Sequence, residues 1–175
     1  MAWGPKRPQR PRPSETRAVI TELARLEKKC FGPRHKKTDF YEYLEGVFDL
    51  YLMWKDRDCA GKGAKRVLAE LYPGRVKIRR GTHTIRCIID ASSPVINALT
   101  NEDKKAEERK RSRWTNTLRY AVRDRATVKE IGLGEFFGSN GGVAGCATQM
   151  AAILKAKKGA KSRSALKGAT RSSGP

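Results

Sequence analysis

Arg109, Lys110, Arg111 and Arg113 place four cations within five positions, and Arg119, Arg123 and Arg125 continue the run. Such a density of guanidinium and ammonium groups suits charge-assisted contact with phosphate oxygens. An Arg that enters a major groove can also read a guanine edge. Successive helical residues step by about 100°, so the four cannot all face one groove. Arg109, Lys110 and Arg113 share one side, and Arg119 and Arg123 form an i, i+4 pair. The competing reading is a solvated helix laced by pairs of Glu107 and Glu108 with Arg111.

Arg75, Lys77, Arg79 and Arg80 form a second cluster, with His83 close behind. If Val76 and Ile78 turn to a core, Lys77 and Arg79 face outward together, as on a short strand or extended loop laid on a phosphate backbone. A solvated edge is an equal alternative. The stretch from Lys65 to Val76 has a faint helix-turn-helix flavour, with Leu68-Ala69 before a turn at Gly74, but no clean recognition helix follows. Ser139-Asn140-Gly141-Gly142 presents bare N–H groups at a helix start, which can bind anions. It lacks the Gly-Lys-Ser/Thr of a Walker loop and reads better as a tight turn.

Nothing assembles into a catalytic motif. The two histidines have no partner signature, and Asp49, Asp56, Asp58 and Asp90 lack metal-ligand spacing. Cys30, Cys59, Cys87 and Cys146 lie 28 to 59 residues apart, without a C-x-x-C pair, and read as small buried hydrophobes. A composite metal site of Cys30, His35, Cys59 and His83 is the minor alternative. No cofactor is expected, and the chain is not expected to be an enzyme.

The charge balance points the same way. Lys and Arg outnumber Asp and Glu 38 to 18, a net charge of +20. Residues 1–13 carry Lys6, Arg7, Arg10 and Arg12, and residues 155–175 carry seven further cations, with no acid in either stretch. Each phosphate neutralised by such groups releases a condensed counterion, so the partner implied is a polyanion. No run approaches the ~18 apolar residues of a membrane span, and the N-terminus lacks the apolar stretch of a secretory signal. A cytoplasmic location follows, on the nucleoid if the polyanion is DNA.

The elements that must position these groups read as helices. Phe40, Tyr43, Leu44, Val47, Tyr51 and Trp54 draw one apolar face over four turns, a core stripe before a base-stacking platform. That helix is expected over about 39–55 with Thr38 as N-cap, and further helices over about 15–30 with Ser14 as N-cap, 59–71, to about 92 from Thr82 as N-cap, 101–124 with a Thr100–Asp103 capping box, and from Gly142 onward, with a short apolar turn of Leu133, Phe136 and Phe137 before it. Asn101 to Arg113 shows essentially no apolar face, as on a helix projecting into solvent or onto a partner. The fold expected is mainly α, with six or seven helices in a small bundle and at most one short strand or hairpin near 75–80. Its divisions would be a disordered Pro/Arg-rich arm (1–13), an N-terminal helical unit (14–93), a C-terminal unit with the basic helix (94–154) and a disordered basic tail (155–175). The function expected is DNA binding by a non-enzymatic accessory or regulatory protein of a bacterium or mobile element. The alternatives are an RNA-binding protein and an interaction module docking an acidic protein.

Overall fold

The computed structural model describes residues 10–31, 36–93 and 100–169, with side chains described as far as residue 160. Among them are eight helices and no strand: α1 (Pro13–Cys30), α2 (Lys37–Asp56), α3 (Lys62–Leu71), α4 (Thr84–Ser92), α5 (Asn101–Arg123), α6 (Arg125–Ile131), α7 (Leu133–Ser139) and α8 (Gly142–Ala169). This is one more helix than the upper expectation of seven. The addition is α6, seven residues long with Val128 alone buried, too short to print a period in the sequence.

The α2 stripe does become core. Tyr43, Leu44, Val47 and Trp54 are buried, and Phe40 and Tyr51 pack partly buried against them. The centre of the bundle is α4, where every residue except Arg86 is buried and which packs on α1, α2, α3 and α5. Its Ile85, Ile88 and Ile89 are fully enclosed. α5 lies between α4 and α8, and its most extensive packing is on α8. Trp114 of α5 is wedged among Phe31, Phe40 and Tyr43, with ring centroids 5.3–5.7 Å away. One hydrophobic cluster runs from Ile20 to Cys146 among the described residues.

Helix ends depart from expectation in small, explicable ways. α1 starts at Pro13, whose fixed φ suits a first helical position, so Ser14 lies inside the helix and Arg12 precedes it. Thr38 likewise lies inside α2, where the Lys36 N–H donates to Asp39 Oδ2 at 2.9 Å. His83, not Thr82, caps α4, its Nδ1 accepting from the Ile85 N–H at 3.2 Å. Thr100 caps α5 through the Asp103 N–H, as expected. α8 runs on through Ala169, past residue 155, where a disordered tail was expected to begin. The alanines and lysines of that stretch are strong helix formers. Residues 1–9 of the N-terminal arm lie outside the described residues, whereas Pro11 is buried beside Trp54 and Cys59.

Candidate nucleic-acid interface

The residues from Tyr72 to His83 cross from α3 to α4 without regular structure. Gly74 and Gly81, at φ +81° and +85°, turn the chain at either end, a conformation that side-chain-bearing residues rarely adopt. Val76 is buried and pins the crossing to the core. Ile78 is 45% exposed, so the alternation of inward Val and Ile with outward cations holds only for the first pair. A turn sets the position of Arg79: its N–H donates to Thr82 Oγ1, and its carbonyl accepts from the Thr82 N–H, both at 3.0 Å. Arg75 reaches the Ala91 carbonyl at 3.3 Å and lies over the Tyr72 ring. No helix follows the turn at Gly74 until Thr84, which removes the helix-turn-helix reading.

Between this crossing and α5 lies a cleft of about 570 Å³. Its cationic lining is Arg75, Lys77 and Arg79 from the crossing, Arg86 from α4, and Lys104, Arg111 and Arg119 from α5. Asp90 and Glu108 are its carboxylates, and Thr82, His83, Ser112, Thr115 and Asn116 complete its polar lining. The α5 members recur every three or four residues, which is one helical face.

Apart from Arg75, which donates to the Ala91 carbonyl, the cations fall into two groups. Arg86 and Arg111 are committed to the α4–α5 seam. Arg86 Nε donates to both oxygens of Asp90 at 2.9 and 3.0 Å, and its other nitrogens reach Glu108 at 2.8 Å and Ser112 at 3.0 Å. Arg111, buried at 4% exposure, lies 3.3 Å from Asp90 and 3.8 Å from Glu107. Burial raises the Asp90 pKa, and the Arg86 and Arg111 guanidinium groups offset only part of that rise. The hydrogen bond from Arg86 holds the Glu108 carboxyl below its usual range.

Lys77, Arg79, Lys104 and Arg119 make no ion pair among the described residues. Lys77 and Arg79 are exposed, whereas Lys104 and Arg119 are half-buried. Desolvation lowers the Arg119 pKa, with only Tyr51 acting against that shift. His83 reports the same field. Its ring packs on Tyr51 at 5.3 Å, and burial, then Arg119, then Lys65, push its pKa down to about 4. A neutral imidazole whose Nδ1 accepts a hydrogen bond carries its proton on Nε2.

The cleft therefore gathers Arg75, Lys77, Arg79, Arg111 and Arg119 from the two sequence clusters, and leaves out Arg80, Arg109, Lys110, Arg113 and Arg123. Arg80, Arg109, Arg113 and Arg123 are exposed elsewhere. Lys110 lies over the rings of Phe31 and Trp114 and pairs with Glu107, so its stem and charge serve packing. The first half of α5 is thus not free of the bundle, because Arg111 and Lys110 anchor it where apolar residues are missing. Lys104, Arg86 and Asn116 are not singled out by sequence reasoning. The phase of polar residues along α5, rather than the density of cations, is the signal that could have found those on that helix.

The four cysteines are buried and free, and burial pushes the Cys30 and Cys87 thiols up to about 11, the behaviour of small core residues. No group of three or more His, Cys, Asp or Glu that could hold a metal ion occurs among the described residues, and His35 lies outside them. No helix among the described residues is long and apolar enough to cross a membrane. Compared with known protein families, with characterised proteins and with solved structures, the chain matches none.

Proposed function

We propose that the protein binds nucleic acid, with DNA the first candidate, as a non-enzymatic accessory or regulatory protein of the cytoplasm or nucleoid. The observation that carries this reading is the cleft: four cations held by two converging walls, none in an ion pair among the described residues, in a chain of net charge +20. Like charges brought together in a concave surface repel one another, and a bound polyanion relieves that cost while releasing its own counterions. The exposed Arg109, Arg113, Arg123, Lys155, Lys157 and Lys158 add weaker, sequence-independent attraction. An acidic protein could also meet such a surface, and salt and competition tell the partners apart.

The test is an anisotropy titration with labelled DNA at several salt concentrations, followed by competition with unlabelled RNA and with polyglutamate. The expected result is a linear fall of log affinity with log salt, and displacement by nucleic acid at concentrations where polyglutamate has no effect. Polyglutamate competing as well as DNA would replace this reading with an acidic-protein partner. Displacement by RNA at far lower concentration than by DNA would make RNA the ligand.

A further inference from the structure

We infer that the cleft takes a single strand, not a duplex, with Arg119 as the inner phosphate contact; the inference rests on the nucleic-acid reading above. The volume of about 570 Å³ lies within the range of about 300–1,000 Å³ typical of pockets for one small molecule. That is room for a nucleotide or two and not for a double helix. A duplex is convex and stiff, and it offers its phosphates to exposed rims. A single strand is flexible enough to be fed between two walls.

The distribution of groups fits that geometry. Lys77 and Arg79 are exposed on one wall, while Lys104 and Arg119 stand half-buried on the other. A strand lying along the cleft meets cations from both sides, with Arg119 on the inside of its path. Asn116 adds a neutral amide, and the Ser112 and Thr82 hydroxyls, which accept from Arg86 and from the Arg79 N–H, keep their own protons to donate; a duplex docked on the rim would leave these unused, and a strand inside can engage them through sugar, phosphate or base edges. Among the described residues His83 is the one ring in the lining, so there is little stacking surface and affinity should be carried by the backbone with little base preference. The glycines at 74 and 81 set the shape of the facing wall, so the width of the cleft is a built feature of the crossing and not an accident of side-chain placement.

The deciding experiment uses the full chain with three probes of equal phosphate number: a dT oligonucleotide, an rU oligonucleotide and a blunt DNA hairpin, each titrated at several salt concentrations. Either single strand should bind about tenfold or more tighter than the hairpin. Arg119→Gln should lose about tenfold in single-strand affinity, with the salt slope reduced by about 0.7 for the one phosphate no longer neutralised. Arg113→Gln, exposed and outside the cleft, is the control for net charge, and Arg119→Lys should recover part of the loss. Thermal melting checks whether each variant folds. If Arg119→Gln does not fold, Lys77→Gln with Arg79→Gln on the exposed wall carries the same test. A hairpin bound as tightly as the single strands, or Arg119→Gln weakening all probes no more than Arg113→Gln, overturns the single-strand inference while nucleic-acid binding stands. Absence of binding to every probe at low salt overturns both.

Discussion

In the α4–α5 seam every guanidinium faces a carboxylate: Arg86 has Asp90 and Glu108, and Arg111 has Asp90 and Glu107. In the cleft that continues along the same face of α5, Lys77, Arg79, Lys104 and Arg119 stand outside any ion pair among the described residues. The two regions use the same residue types on adjoining surfaces. Matched charges, buried and hydrogen-bonded, fix how two helices sit. Unmatched charges leave attraction to be satisfied from outside. Charge density along the sequence therefore says little about which cations are free to bind; what decides it is whether a carboxylate lies within reach.

The largest effect expected from breaking this division comes from Asp90→Ala. It takes from buried Arg111 the carboxylate that lies 3.3 Å away and releases Arg86 from the bond that orients it. Removing one partner of a buried pair typically costs about 3–5 kcal/mol, and urea denaturation should show a loss of that order. A loss no greater than that of an exposed Asp124→Ala would mean that the seam contributes little. The cation run of α5 divides in the same way. Replacing Arg109 and Arg113 by Ala should leave the melting temperature unchanged, since both are exposed and alanine is the better helix former. Adding Arg111→Ala to that pair should lower it sharply, because Asp90 and Glu107 then lose their buried partner.

Arg119→Gln sharpens the contrast from the other side. Its guanidinium is desolvated without an ion pair among the described residues, so replacing it with a neutral side chain removes a cost instead of an attraction. The expected melting temperature is equal to or above that of the parent, while polyanion affinity falls. A melting temperature lowered as far as by Asp90→Ala would place Arg119 with the seam residues.

What is visible in the chain alone follows the same line. The apolar stripe of α2 is legible because three- and four-residue spacing sustained over four turns is the period of a helix burying one face. Thr100 with Asp103 announces the start of α5. α6 is not legible, since one buried Val128 in seven residues prints no period. Arg111 looks like a surface cation in the sequence because its partner Asp90 lies 21 positions away on another helix, a distance over which sequence spacing carries no geometry. The cleft is half legible. Both clusters that build its walls are evident, but not that the Gly74 and Gly81 turns bring one against the other. Arg119 reads as one of an i, i+4 pair with Arg123, and only the phase shared with Lys104, Glu108, Ser112 and Thr115 puts it in the lining.

The smallest expected effect is a dependence on pH, and it tests whether the cleft's field is as cationic as its lining implies. His83 is half-buried, faces Arg119 and Lys65, rests on Tyr51, and has its pKa pushed down to about 4. Unfolded, it titrates near its ordinary value of 6.5. Above that value it is neutral in both states and costs nothing. As pH falls from 6.5 toward 4 the unfolded chain takes up the proton first, so stability declines across this window, and below it the decline from this group stops. A phosphate in the cleft reverses part of the penalty: it raises the His83 pKa, binding takes up a fraction of a proton, and affinity gains as pH falls through the same range. His83→Asn isolates the effect, because asparagine still caps α4 but does not titrate. Denaturation and anisotropy at pH 7.5 and pH 5 should show the variant losing less stability on acidification than the parent, and gaining less affinity. If parent and variant respond identically in both measurements, the depressed imidazole is not coupled to the cleft, and the charge gathered there is more fully screened by solvent than the lining residues imply.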